Sequence, residues 1–170
     1  MPNHVEHDMS VRGPAEDLRA FETFAQEGER LLSANKFIPY PEAYARPDAE
    51  REAWWKLDKT NRGPMPPDGF NAGGYEWCVD NWGTKWGIYQ SQKITHANRM
   101  GTVVGDLGYS FQSAWSPALK VIEAMSRRFP SLRFKVRYYE MGCQFQGHFV
   151  VKNGVIQTNE RLEYNGERGG

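Results

Sequence analysis

Residues 81–86 form the part of the sequence that is richest in groups able to bind a ligand. They read Asn81-Trp82-Gly83-Thr84-Lys85-Trp86, so two tryptophans flank a glycine turn that carries a hydroxyl and an amine. Indole rings stack on bases, sugars and cations, and the hydroxyl and the amine could hold the polar part of the same ligand. Tryptophans at such a turn more often anchor a loop on the core, with the indole N–H bonded to the backbone. The sequence leaves both interpretations open.

Another tryptophan extends this aromatic region. Trp115 comes directly before Ser116-Pro117, and we expect it to lie next to the run described above, with Lys85 and Glu140 at the rim of a shared pocket. The sequence therefore predicts a ligand-binding region that consists of Asn81, Trp82, Thr84, Lys85, Trp86, Trp115 and Glu140.

The histidines suggest a metal-dependent hydrolase as an alternative, with His4, Glu140 and His148 as its candidate residues. Imidazole and carboxylate groups are common ligands of transition metals. His7 cannot join His4 at one ion without a bulge, because alternation in a strand points the two rings to opposite faces. A structural role is the more common one for each histidine, so we predict no metal site.

Motifs of the common enzyme classes are missing from the sequence. It has no G-x-S-x-G, H-E-x-x-H, phosphate-binding Walker loop or dinucleotide-binding G-x-G-x-x-G pattern. Cys78 and Cys143 form no C-x-x-C pair, which excludes a four-thiolate iron–sulfur site and a zinc site built on cysteine. We therefore expect no cofactor, and the sequence favours a binding protein over an enzyme.

Two segments show the alternation of strands that have one buried face. In residues 4–11 and in residues 132–139, apolar and polar side chains alternate. If the two strands are antiparallel neighbours at the sheet centre, their polar side chains meet on the face that the helices leave uncovered. We interpret this meeting as a ladder of opposite charges that fixes the register, at about 0.2–1 kcal/mol per pair, with a polar ligand surface as the alternative. The charged side chains are Glu6, Asp8, Arg133, Lys135 and Arg137.

Binding of single-stranded nucleic acid to that uncovered face is an alternative function. Plaits that bind RNA place aromatic residues on a strand, and Gly108-Tyr109-Ser110-Phe111 loosely resembles the core of that motif. The 21 Lys and Arg residues balance the 21 Asp and Glu residues, so no overall field draws the chain to a polyanion. This alternative would use Tyr109, Phe111, Arg133, Lys135 and Arg137.

The predicted elements that position these residues follow the order of a ferredoxin-like plait. A helix follows Gly13-Pro14, strands follow at residues 84–89 and 102–111, and a second helix begins at Ser116-Pro117, with serine as N-cap and proline at the first helical position. Asn153-Gly154 is a strong hairpin signal. We predict an α+β fold, a βαββαβ plait with a mostly antiparallel sheet, a C-terminal β-hairpin extension and an inserted irregular or helical segment.

The chain length fits one domain over residues 1–170. Residues 35–74 are rich in proline, glycine and charge, with a possible short helix at 49–57, and predict an insertion or a long loop within that domain. We expect residues 165–170 to be frayed. The sequence has no apolar signal segment and no window of membrane-spanning character, which predicts a cytosolic protein in whatever cell makes it.

Several runs of residues resemble one known family. They are Met1-Pro2-Asn3-His4, Ile38-Pro39-Tyr40-Pro41-Glu42, Asn81-Trp82-Gly83-Thr84-Lys85-Trp86, Phe111-Gln112-Ser113-Ala114-Trp115-Ser116-Pro117, Phe129-Pro130 and Tyr139-Glu140-Met141-Gly142. In this order they resemble the YubB-like ferredoxin-fold domain family of phage and plasmid proteins. The resemblance implies a ferredoxin-like topology and an origin in a bacterial mobile element, and it implies no activity and no catalytic residue.

These observations together predict an accessory protein of a phage or plasmid. We expect a non-enzymatic binding module that engages a host protein or a small molecule through the aromatic region. Nucleic acid is the less favoured partner, no membrane partner is expected, and the sequence favours no particular oligomeric state.

Overall fold

The computed structural model describes residues 3–94 and 106–166 of the chain. Within these residues the strands are β1 (His4–Arg12), β2 (Tyr89–Lys93), β3 (Leu107–Ala114), β4 (Arg133–Glu140), β5 (Phe145–Lys152) and β6 (Val155–Glu163). The α-helices are α1 (Ala15–Ala25), α2 (Glu42–Lys56), α3 (Tyr75–Trp82) and α4 (Leu119–Arg128). All strands belong to one antiparallel sheet with the order β2-β3-β1-β4-β5-β6. None of the helices in the described parts of the chain has the length and apolar character needed to cross a membrane.

The order of elements confirms the predicted ferredoxin-like α+β fold. β1, α1, β2, β3, α4 and β4 form the βαββαβ unit, and β5 and β6 form the C-terminal hairpin. Asn153 and Gly154 make the turn of this hairpin with φ angles of 51° and 69°. Positive φ at both central residues is what a two-residue turn of this kind requires.

The core lies between one face of the sheet and the helices α1 and α4. β1 and β4 are antiparallel neighbours, as predicted, and Met9 lies opposite Val136 on the buried face. Phe21 of α1 packs on this face, with its ring centroid 5.3 Å from that of Phe134. The opposite face, which carries Glu6, Asp8, Ser110, Gln112, Lys135 and Arg137, is called the open face below.

Two predicted element boundaries are wrong. The strand predicted at residues 84–89 is found at Tyr89–Lys93 instead, because Thr84 is fixed to Ala114 by its side chain rather than by a regular ladder. The helix predicted to begin at Ser116-Pro117 begins at Leu119, and the Ser116 hydroxyl donates to the Gly83 carbonyl at 2.6 Å. Of the predicted strand at 102–111, residues 102–105 lie outside the described residues.

The segment 35–74 contains a longer helix than predicted. α2 begins before the predicted helix at 49–57, includes Pro47 and buries none of its residues. Asp48 is one of the residues that attach it, because its carboxylate accepts hydrogen bonds from the Phe70 amide at 2.8 Å and from the Tyr40 hydroxyl at 3.2 Å. Arg51 is another, and its Nη1 donates to the Pro66 carbonyl at 3.2 Å. Of the predicted frayed segment 165–170, residues 167–170 lie outside the described part of the chain.

Candidate binding site

A cavity of about 360 Å³ opens on the open face, where β1 begins and where β3 and β4 end. The register explains its position, because Glu6 of β1 lies directly between Gln112 of β3 and Tyr139 of β4. We call it the acidic cavity, and its walls are formed by Asn3, His4, Glu6, Gln112, Tyr139, Glu140, Met141 and Gly142.

Hydrogen bonds hold the polar side chains of the acidic cavity in place. Gln112 Nε2 donates to Glu6 Oε1 at 2.5 Å, which uses one oxygen of this carboxylate. His4 Nδ1 lies 2.7 Å from Tyr89 Oη. The pKa of Tyr89 is raised by burial and, to a smaller extent, by the negative charge of Glu6. Tyr89 therefore keeps its proton at neutral pH and can donate it to His4.

Glu140 is buried and stabilises the turn between β4 and β5. Its carboxylate oxygens accept hydrogen bonds from the amides of Gly142, at 2.8 Å, and Cys143. Glu140 thus adds negative charge to the acidic cavity while its oxygens are engaged by the backbone. Lys85 is not among the walls of this cavity, and its ammonium lies over the Trp86 ring, 5.4 Å from its centroid.

The charge of the acidic cavity is negative. Its walls include the carboxylates of Glu6 and Glu140, and no lysine or arginine is among the wall residues named above. The chain as a whole has a formal net charge of zero, so this local excess is a property of the cavity. Such an excess favours a positively charged ligand group, and the ring of Tyr139 adds an aromatic surface that attracts cations.

Trp82 anchors a distant loop on the core. Its side chain is only 7% exposed, and Nε1 donates to the Ile38 carbonyl at 2.8 Å. The rings of Tyr40 and Trp77 pack against it, with centroids 5.6 and 5.3 Å away. The structural interpretation of this tryptophan is therefore correct, because the indole fixes a distant loop on the core.

Trp86 and Trp115 each contact a neighbour or a wall residue of the acidic cavity. The half-buried Trp86 contacts Tyr89, with 6.3 Å between ring centroids, and Tyr89 in turn bonds to His4. Trp115 is 46% exposed, and its backbone amide donates to the Asn3 carbonyl at 2.9 Å. The predicted aromatic region thus has Trp82 and Trp86 in the walls of one small cavity of about 220 Å³, whereas Trp115 is not among the wall residues of that cavity.

Thr84 and Asn81 bond to the backbone. Thr84 is fully buried, and its hydroxyl donates to the Ala114 carbonyl at 2.8 Å and accepts from the Ala114 amide at 3.1 Å. Asn81 Nδ2 donates to the Trp77 carbonyl at 2.9 Å within its own helix. The prediction that Thr84 contacts a ligand is wrong for this geometry, and Asn81 lies on a different groove, between α3 and α4.

The predicted placement of Tyr109 and Phe111 on the open face is also wrong. Both side chains are 1% exposed and belong to the core. In β3, Ser110 and Gln112 lie opposite Asp8 and Glu6 on the open face, so alternation sends Tyr109 and Phe111 to the helices. The basic residues predicted for the same alternative, Arg133, Lys135 and Arg137, do lie on the open face.

Of the residues of the metal-dependent alternative, His4 and Glu140 both line the acidic cavity, whereas His148 is not among its walls. His4 bonds to Tyr89, the Glu140 oxygens accept turn amides, and His148 Nδ1 lies 3.8 Å from Glu160 Oε2 on β6. Within residues 3–94 and 106–166, no group of three His, Cys, Asp or Glu side chains could hold a metal ion. The three candidate residues therefore do not form one metal site within the part of the chain that the structure describes.

Sequence reasoning did not assign Tyr89, Gln112 and Tyr139 to a site. Each contributes one side chain from a different strand, and their meeting with Glu6 depends on the register of β3 and β4 against β1. Alternation does place Tyr139 on the polar face of its strand, and this pattern was the one signal in the sequence that could have assigned Tyr139 to the site.

Known proteins share the fold of this chain. Residues 85–168 match a family model described as the ferredoxin-like domain in Api92-like protein. The crystal structure of a protein api92 from Yersinia pseudotuberculosis is similar over 98% of this chain and 99% of that chain, with a TM-score of 0.51 and 9% sequence identity. No curated protein matches the sequence. At this level of identity the structural similarity shows the fold alone.

Proposed function

We propose that this chain, with the ferredoxin-like fold of Api92-like proteins, is a non-enzymatic binding module whose acidic cavity receives a positively charged group of a host protein. The group is the ammonium of a lysine or the guanidinium of an arginine. The observation that carries the proposal is the cavity itself, which has two carboxylates and no lysine or arginine in its walls. Glu6 supplies the carboxylate of which one oxygen is engaged by Gln112.

The aromatic neighbours of the cavity support the same ligand chemistry. A cation over an aromatic ring gains about 0.5–1 kcal/mol at an exposed site. Lys85 already makes this contact with Trp86 within the chain. Tyr139 in the wall and the exposed ring of Trp115 beside Asn3 could receive the side chain of a partner in the same way.

The proposal also includes the origin of the protein and the compartment in which it acts. The resemblance of several sequence runs to phage and plasmid proteins supports an accessory role in a mobile element of bacteria. Cys78 and Cys143 are both free thiols, which fits a reducing cytosol. The partner in this setting is a bacterial protein that presents a basic residue.

Titration with short peptides, followed by amide chemical shifts, tests the proposal. Three peptides with blocked ends and a central arginine, lysine or glutamate serve as probes. We expect the two basic peptides to shift the amides of Glu6, Gln112 and Tyr139, and the glutamate peptide to leave them unchanged. Glu6→Gln keeps the size of the side chain and removes its charge, so it should abolish the shifts.

The control variant is Glu50→Gln, which makes the same change on the exposed side of α2. It should bind the basic peptides as the wild-type chain does. Shifts of equal size with the glutamate peptide, or an unchanged response in Glu6→Gln, would show that the cavity does not select a cation.

A further inference from the structure

The open face has opposite charge at its two ends. At the end far from the acidic cavity, Arg12 of β1 lies directly opposite Arg133 of β4, which lies directly opposite Lys152 of β5. All three side chains are exposed. We call these three residues the basic row.

The stability of the sheet does not explain the basic row, because like charges directly opposite each other destabilise paired strands. Arg12 is neutralised by Asp106, with 2.9 Å between Nη2 and Oδ2. Arg133 Nε donates to the uncharged Gln157 side chain at 3.0 Å. Among the described residues, neither Arg133 nor Lys152 forms an ion pair. Two positive charges of the row are therefore available to a ligand.

The predicted ladder of opposite charges is correct for only part of β4. Asp8 lies opposite Arg137, whereas Lys135 has uncharged neighbours on both adjacent strands. The three basic residues of β4 stand at every second position, so they are spaced by about 6.7 Å along the open face. Positive charge thus extends in two directions from Arg133, across the strands and along β4.

An aromatic platform follows the basic residues on the same face of β4. The ring of Tyr139 stacks on that of Tyr164, with 5.7 Å between centroids and 15° between planes. Proteins that bind single strands without sequence preference combine spaced cations with rings on which bases stack. A single phosphate would contact one or two of these cations, whereas an extended backbone can contact all of them.

We infer that the open face binds single-stranded nucleic acid, with phosphates on Arg133, Lys152 and Lys135 and a base on the Tyr139–Tyr164 pair. The charges that carry this inference, Arg133, Lys135 and Lys152, are separate from the carboxylates of the acidic cavity. An acidic peptide would satisfy the cations but would make no use of the stacked rings.

Fluorescence anisotropy with a labelled oligodeoxythymidine of about 12 nucleotides tests the inference. Arg133→Gln should weaken binding about fivefold. It should also reduce the slope of log affinity against log salt by about 0.7, the change for one lost phosphate contact on a single strand. Lys59→Gln, on the exposed turn after α2, is the control and should bind like the wild-type chain.

Urea unfolding of the same variants separates binding from folding. Arg133→Gln removes a repulsion, so its unfolding free energy should equal or exceed that of the wild-type chain. If this variant does not fold, Lys152→Gln provides the same test from β5. Binding that is indifferent to salt, unchanged in these variants, or matched by a glutamate peptide of similar length would overturn the inference.

Glu6→Gln distinguishes this inference from the proposed function. It should abolish the response to basic peptides and leave oligonucleotide binding intact or stronger, since it removes a negative charge from the same face. A loss of both activities in this variant would show that the two ends of the open face are not separate sites, which would contradict the inference.

Discussion

The Nε2 atom of His7 accepts a hydrogen bond from the backbone amide of Ala118 at 3.3 Å and so links the central strand to the start of α4. The imidazole is fully buried and stacks on Phe111, with 4.5 Å between centroids. Since Nε2 accepts, the neutral ring carries its proton on Nδ1. A second proton would remove this acceptor and place a charge in the core.

The stability of the fold should therefore depend on pH through His7. Burial lowers its pKa from 6.5 to about 3. Between these values the unfolded chain binds a proton that the folded chain rejects. The contribution of neutral His7 to the unfolding free energy is thus fully present above pH 6.5. It is lost as the pH falls, by up to about 1.4 kcal/mol per pH unit. Urea unfolding at pH 7.5, 5.5 and 4.5 measures this loss.

Two variants isolate the contribution of His7 from that of the carboxylates. His7→Gln should be less stable at pH 7.5 but should lose less stability on acidification than the wild-type chain. Thr84→Val, which removes a buried hydroxyl and no titratable group, should lose stability at every pH and retain the wild-type dependence. Parallel pH profiles of the wild-type chain and His7→Gln would contradict the assignment.

The hydroxyl of Thr84 provides a second test, because it satisfies both backbone groups of Ala114. Thr84→Val keeps the shape and leaves a buried amide and a buried carbonyl without this partner, at about 1–3 kcal/mol. Thr84→Ser keeps the hydroxyl and loses one methyl group, at about 0.8 kcal/mol. Urea unfolding should rank serine above valine, and the reverse order would mean that the methyl group matters more than the hydrogen bonds.

Local patterns predicted much of the fold. Alternation assigned the faces of β1 and β4 correctly, and Asn153-Gly154 marked the hairpin that joins β5 and β6. These features depend on neighbours within a few residues, where backbone preferences and the two-residue period act directly.

The offset between strands could not be predicted, because alternation determines a face and not a register. A charge ladder between β1 and β4 was a reasonable expectation, yet the actual register sets Arg12 against Arg133. The acidic cavity could not be predicted for the same reason, because its position follows from the register that sets Glu6 between Gln112 and Tyr139. Connections through two helices set these offsets, and no local pattern encodes them.

The role of Trp82 also depends on a contact between residues that are far apart in the sequence. Its indole N–H bonds to the carbonyl of Ile38, 44 residues earlier. Trp82→Ala should therefore destabilise the fold by about 3–5 kcal/mol, as expected for a buried aromatic residue. Trp86→Ala, at a half-buried position in the same run, should lower the unfolding free energy by a smaller amount. Thermal unfolding compares the two, and equal losses would contradict the difference in role.

The attachment of α2 provides the last test. None of its residues is buried, so α2 is held by a few polar contacts, among them the bonds of Asp48 to Phe70 and Tyr40. Asp48→Ala should leave the global unfolding free energy nearly unchanged while amide hydrogen exchange accelerates in residues 42–56 and 69–74, since these residues would open without unfolding the sheet. Glu50→Ala, an exposed position on the same helix, should leave the exchange rates unchanged. Exchange that accelerates across β1 and β4 as well would show that α2 and the sheet unfold as one unit.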